Sequence, residues 1–133
     1  MITEEYIIKH EGIKLKPYLC PAGKLTIGVG RNIEDNGIST DEAIYILKND
    51  IKRCESELRE IFDHFDLFDE NKKTSLIDII FQLGKPSFLK FKKMIRAIKK
   101  GDWQESVREL KDSRLCREVP SRCEDNSELM STP

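Results

Sequence analysis

The sequence predicts an α+β protein that is mainly helical, with one small β-hairpin subdomain near its N-terminus. Three observations lead there. The stretch "KPYLCPAGKLTIGVG" places turn residues between segments that alternate apolar and polar side chains, the period of a half-buried strand. From Ser39 onward the apolar residues instead recur three and four apart, the period of a helix. The 133 residues suit one domain that buries roughly 68% of the surface of its unfolded chain, so folding needs no metal or disulfide staple.

Each element has its own signal. Thr3 is the expected N-cap of a first helix through Tyr6, Ile7 and His10, which Gly12 stops directly after Glu11. Pro21 and Gly23 mark a turn, after which Leu25, Ile27 and Val29 alternate with Lys24, Thr26 and Gly28. Thr26 is thereby expected on the face opposite Leu25 and Ile27. "EDNG" closes the hairpin region, about residues 13–36, as a second turn. "STDE" at Ser39 to Glu42 is a capping box that opens a helix of about 20 residues with Cys54 on its apolar stripe, read as a core residue. "SLIDIIFQLG" is apolar on nearly every side, as a central helix would be, and Gly84 ends it. Ser87 is the expected cap of a helix carrying Phe88, Phe91, Met94, Ile95 and Ile98. Asp102 with Glu105 repeats the capping pattern, and Pro120 suits the first turn of a short last helix. The helical body is thus expected over about residues 39–130, joined by the N-terminal helix, in one domain spanning 1–133.

Composition narrows the function classes. Apolar residues make up 38% of the chain and charged ones 35%, with a net charge of −1, which argues against disorder and against a strongly basic nucleic-acid binder. The charge is uneven, however: Lys85 to Arg117 holds eleven Lys or Arg against four Asp or Glu. That excess of seven permits a weak attraction to a polyanion such as a bacterial wall, although a solvated helix face is the commoner meaning of such a run. Cys20, Cys54, Cys116 and Cys123 are irregularly spaced with no zinc-finger pattern, so no metal is expected and activity should survive chelators. No basic segment followed by an apolar run opens the chain, and no stretch approaches the ~18 apolar residues of a membrane span. Synthesis in the cytoplasm without a signal peptide, no membrane insertion and reduced thiols are the corresponding expectations.

The chemistry lies in Glu11, Cys20 and Thr26. "GVG" at Gly28 to Gly30 lacks the third glycine and the following helix of a dinucleotide fingerprint, and reads better as backbone that bends and lets a ligand approach closely. His10 and His64 have no partner pattern and read as structural or surface residues. The hairpin turn folds the chain back, so Cys20 and Thr26 can face Glu11 across a groove. A carboxylic acid on one side and a water-holding pair on the other is what an inverting glycosidase requires. A lone Glu at a helix end is more often surface decoration, so the spacing by itself is only suggestive. A free thiol beside a carboxylate is expected to titrate above ~8.5 and to stay protonated at neutral pH.

"HEGIKLKPYLCPAGKLTIGVGRN", His10 to Asn32, resembles the signature of the phage-type lysozymes, the endolysin muramidases of glycoside hydrolase family 24, which include the T-even phage enzymes. There a Glu is followed after eight residues by Asp or sometimes Cys, and after five more by Thr, as in Glu11, Cys20 and Thr26. The resemblance continues through "NDI" at Asn49, "FQLG" at Phe81, "FKKM" at Phe91, and "DSR" and "PSR" between Asp112 and Arg122. It implies a lysozyme-like fold with the cleft between hairpin and helical body. Glu11 would then be the general acid, with Thr26 holding the attacking water and Cys20 standing in the Asp position. Gly30, Arg31, Gln82, Arg114 and Arg122 would meet the substrate, and Arg122 would contact the catalytic Glu.

The implied reaction is hydrolysis of the β-1,4 bond between N-acetylmuramic acid and N-acetylglucosamine in peptidoglycan, with no cofactor. The resemblance further implies a monomer made in the host bacterial cytoplasm, released to the wall with the help of a holin, although tail-associated or secreted antibacterial use fits as well. Two other classes stay open on the residues: a catalytically inactive wall-binding module on the same fold, and a helical nucleic-acid binder supported only by the basic run.

Overall fold

The computed structural model describes residues 2–133, and 69% of these are helical, with one three-stranded antiparallel sheet among them. The chain forms two compact units, the first ending at Ile46 and the second running Leu47–Pro133.

In the first unit α1 (Ile2–Glu11) ends where Gly12 turns to φ +74° and gives its N–H to the Ile8 carbonyl at 2.7 Å. Thr3 lies inside this helix, which has begun by Ile2, so it is not the cap that its residue type suggests. Strands β1 (Lys14–Leu19), β2 (Leu25–Gly28) and β3 (Arg31–Asn32) lie in that order, with Tyr18 opposite Thr26 and Thr26 opposite Asn32. A register shift between Lys14 and Tyr18 brackets Pro17, which has no N–H for the ladder. The third strand was not legible because it is two residues long. "EDNG" belongs to a short helix, α2 (Ile33–Asn36), capped by the Asn32 side chain and ended by Gly37.

Thr26 and Leu25 lie on opposite faces of β2, as alternation predicts, and the buried face is that of the threonine. Thr26 is the buried residue, at 2% exposure, while Leu25 is exposed. Among the described residues it is the only buried one in this unit, which is held by backbone pairing and polar clips rather than an apolar core. The strongest clip joins Arg31 to Glu42 through two hydrogen bonds of 3.0 and 2.7 Å, with a third bond from Arg31 to the Gly37 carbonyl. Glu42 also completes the capping box at the start of α3 (Thr40–Ile61): its Oε1 accepts the Ser39 N–H at 2.8 Å and its N–H donates to Ser39 Oγ at 3.1 Å.

The second unit carries the hydrophobic core. Leu58 and Cys54 from α3 are buried as their stripe predicts. They share a cluster with Leu76, Ile79 and Ile80 of α4 (Glu70–Leu83), which starts at its Asp69 cap and stops at Gly84. One continuous helix from Ser87 does not form. Ser87 lies within α5 (Lys85–Phe88), and a break at Leu89 to Phe91 precedes α6 (Lys92–Lys99), whose Met94, Ile95 and Ile98 enter the core. Asp102 caps α7 (Trp103–Lys111), where Trp103 meets Phe68 edge-on at 5.0 Å. The short helix α8 (Arg114–Glu118) precedes α9, which runs Pro120–Ser131, starting where Pro120 predicts but extending to 12 residues.

The expectation of four reduced thiols fails for two of them. Cys116 and Cys123, brought to a Cα separation of 5.1 Å where the chain turns between α8 and α9, form a disulfide. Cys20 and Cys54 are free.

The Arg31 clip has a pH signature. Arg31 and the Ser39 N–H hold the Glu42 carboxyl down to about 2 from the usual 4.5. Between these values the unfolded chain takes up a proton that the folded chain refuses, so the clip's contribution is full above pH 4.5 and fades as pH falls toward 2. Thermal unfolding of the wild type should therefore drop toward that of Glu42→Gln on acidification through this window, whereas parallel curves would show that the clip does not contribute.

Candidate active site

The hairpin tip is built by backbone hydrogen bonds. The Gly23 N–H donates to the Cys20 carbonyl at 2.8 Å and the Cys20 N–H to the Lys24 carbonyl at 3.0 Å, which closes a tight turn over Pro21 to Gly23. The same Lys24 carbonyl accepts the Thr26 hydroxyl at 2.8 Å. Thr26 has spent its only hydrogen there, so toward any bound water its oxygen acts as an acceptor.

The Cys20 thiol is held below the usual 9.0, first by the Lys24 N–H and then, against a raising effect of burial, by the Ala22 N–H. This reverses the expected direction. A neighbouring carboxylate would have raised the thiol, but the donors of the turn favour the thiolate instead. Cys54, by contrast, is buried in the core, and burial pushes its thiol up.

Glu11 ends α1 with its side chain exposed, and its carboxyl rests on Gly30 in the turn between β2 and β3. A Cβ at Gly30 would stand 2.7 Å from Glu11 Oε2, and φ is +64° there, so only glycine fits under the carboxyl. Thr26 and Gly30 are four residues apart, at most ~13 Å along an extended chain. That bound accommodates the ~6.5–9.5 Å separation of the two groups in inverting glycosidases.

The remaining candidates are engaged with protein partners. Arg31 is held by Glu42 and Gly37 as described. In the second unit Arg122 forks onto Asp78, with Nε at 2.9 Å from Oδ2 and the second bond to Oδ1. Asp78 also accepts from Gln82 Nε2 at 3.0 Å and Asn126 Nδ2 at 2.9 Å. Burial raises the Asp78 carboxyl, but Arg122, Asn126 and Gln82 together outweigh it and leave the group lowered and ionised. Arg114 pairs with Glu118 on the exposed face of α8 at 2.8 Å. Asp78 and Asn126 were missed from the sequence, although a lone acid inside the apolar "SLIDIIFQLG" is itself a signal, because a half-buried carboxylate needs donors. Tyr6 packs against His10 with ring centroids 4.7 Å apart and planes tilted by 57°, and His64 precedes a single 3-10 turn at Phe65–Leu67 without a capping bond from its side chain. Among the described residues no group of three or more His, Cys, Asp or Glu is placed to hold a metal ion, and no helix is long and apolar enough to cross a membrane.

A carboxyl on a glycine turn, beside a hairpin whose tip pairs an activated thiol with a hydroxyl acceptor, has the parts of a hydrolytic site that uses an acid and a positioned water. Comparison with known proteins gives the class. Residues 8–116 match the family described as phage lysozyme, and the chain belongs to that family, which makes it a lysozyme-type hydrolase. Similar proteins include probable T4-type lysozyme 2 of Dictyostelium discoideum, 29% identical over 142 residues, and probable T4-type lysozyme 1 of the same organism, 28% identical over 141. Each alignment covers 84% of this chain and 83% of the relative.

The thiol environments predict selective chemistry. Iodoacetamide should add one label, at Cys20, with a pH midpoint below the usual 9.0, because Cys54 is buried and the other two cysteines are bonded. A midpoint at or above 9.0 by mass spectrometry of timed samples would contradict the activated turn.

Proposed function

We propose that the protein is an N-acetylmuramidase that hydrolyses the β-1,4 bond between N-acetylmuramic acid and N-acetylglucosamine in peptidoglycan and thereby lyses bacteria. The observation that carries this reading is the Cys20 and Thr26 pair, with both acceptors at one hairpin tip in the same unit as Glu11.

Glu11 gives its proton to the leaving glycosidic oxygen as the bond to the anomeric carbon breaks. A water donating to Thr26 Oγ1 and the Cys20 sulfur is left with a lone pair free to attack that carbon from the opposite face. Its proton passes to the sulfur, and the new reducing end carries the inverted configuration. Gly30 leaves the carboxyl uncovered for a sugar ring. Gln82, Arg114 and Arg122 are the further residues proposed to contact the polymer, with Asp78 fixing the orientation of Gln82 and Arg122. Use as an endolysin released by a holin, by a monomeric chain, fits this chemistry.

The lowered thiol favours one second reading: a Cys20 thiolate could attack the anomeric carbon itself, giving a covalent intermediate and retention. Water positioning is preferred because Thr26, held as an acceptor beside the sulfur, has no task in direct attack.

Mass analysis of digested peptidoglycan should find new reducing ends on N-acetylmuramic acid. Glu11→Gln should stay folded and lose lysis, since the amide has no proton to give. Cys20→Asp should remain active, and Cys20→Ala should lose ~10²-fold or more, the usual worth of a positioned base. Lysis by a folded Glu11→Gln variant, or reducing ends on N-acetylglucosamine, would refute the assignment.

A further inference from the structure

The basic run that the sequence singled out is not spread evenly over a solvated face. From Lys85 to Gly101 the chain has seven Lys or Arg and no acid. Helix α6 sorts them. On one side Lys93 and Lys100 share a depression with Asp102, Glu105 and Glu109, which offset their charge, and Arg96 borders this depression as well. On the other side Lys92, Arg96 and Lys99, spaced as one helical stripe, line a groove of about 640 Å³ floored by Ile61, Leu89 and Ile95. Glu60 is the one carboxylate lining that groove, and Lys85 pairs with it. Among the described residues Lys92, Arg96 and Lys99 have no acidic partner within 4 Å.

Three cations without an ion-pair partner along an open groove select a polyanion, even with Asp63 near Lys99 and the acids of α7 near Arg96, and the lining says which kind. No aromatic side chain lines it, so there is no stacking platform for nucleic-acid bases. The apolar face of α6, Met94, Ile95, Ala97 and Ile98, is buried in the core, so the helix has nothing to insert into a bilayer. What fits is a flexible, non-aromatic phosphodiester chain whose short carbon segments lie on the aliphatic floor while its phosphates meet cations ~5–6 Å apart, about one helical turn. We propose that this groove binds the polyol-phosphate polymers of bacterial walls, the teichoic-acid class, and so holds the enzyme on its substrate. The choice of a wall polymer rests on the peptidoglycan reading, while the binding itself requires no hydrolysis.

The test measures binding of the full chain to purified poly(glycerol phosphate), to phosphatidylglycerol vesicles and to single-stranded oligo-dT, each across a salt series. The wild type should prefer the polyol phosphate, with affinity falling at a log–log slope of roughly −2 with salt, as for three contacts on a flexible phosphodiester. Replacing Lys92, Arg96 and Lys99 together by Gln should weaken binding on the order of 100-fold at low salt, at ~5-fold per cation. The charge-matched replacement of Lys93, Lys100 and Lys111 should leave most of it. Glu60→Gln should tighten binding. Equal loss in both triple variants, tighter binding to vesicles or oligo-dT, no binding of the polymer, or Glu60→Gln with unchanged or weaker affinity would each overturn the proposal. Hydrolysis of wall fragments stripped of phosphate polymer separates this proposal from the enzymatic one: the groove variant should match the wild type there, and a wild type inactive on such fragments would refute the enzyme while leaving the binding result to stand alone.

Discussion

A buried hydroxyl that must be satisfied organises the reactive corner of this protein. Thr26 is the buried residue of the first unit, and a hydroxyl taken out of water costs about 1–3 kcal/mol unless it finds a partner. Its partner is the Lys24 carbonyl, which is also the acceptor that closes the turn after Cys20. One carbonyl therefore ties strand register, turn closure and hydroxyl orientation together. The turn backbone at Lys24 and Ala22 lowers the Cys20 thiol, while the Thr26 oxygen is left with acceptor capacity alone. Neither property belongs to Cys or Thr as residue types. Both follow from the turn.

The two units are stabilised by different physics. The second unit encloses Leu58, Phe65, Leu76, Phe88, Leu110 and Met130 almost without exposure, the non-directional burial that dominates folding energetics. Among the described residues the first has no such cluster, and it rests on a ladder of three short strands, a capping box and the Arg31 to Glu42 pair. Exposed pairs of this sort contribute little each, so the first unit depends on its geometry being overdetermined: Glu42 serves cap and salt bridge at once. The glycine under the Glu11 carboxyl has the same character, since it supplies both a left-handed turn and the absence of a side chain.

Much of the fold was legible because long amphipathic helices announce themselves. The capping box at Ser39, the apolar stripe through Cys54 and Leu58 and the Gly84 stop all lie where periodicity and cap chemistry predict. The errors fall where local signals compete with tertiary ones. Ser87 is a good cap by type, but Pro86 at the start of α5 and the break before Lys92 divide that segment. Alternation in β2 set Thr26 opposite Leu25 and Ile27 but did not say which face is buried, and the unit buries Thr26 because its hydroxyl is tied into the hydrogen-bonded turn. The pairing of Cys116 with Cys123 depends on a reversal between two helices that spacing alone does not reveal. For the candidate site, residue identity and spacing nominated Glu11, Cys20, Thr26 and Gly30, while the direction of the thiol shift and the Asp78 network needed coordinates, since both arise from donors brought together by folding.

The central claim is that Cys20 and Thr26 hold the water that completes glycoside cleavage. The most direct measurement is the configuration of the first-formed reducing sugar, read by proton NMR during cleavage of a soluble β-linked glycan strand before the anomers equilibrate. Water held opposite Glu11 predicts the α-anomer first, an inversion. Early appearance of the β-anomer would contradict the account and assign the attack to the sulfur of Cys20.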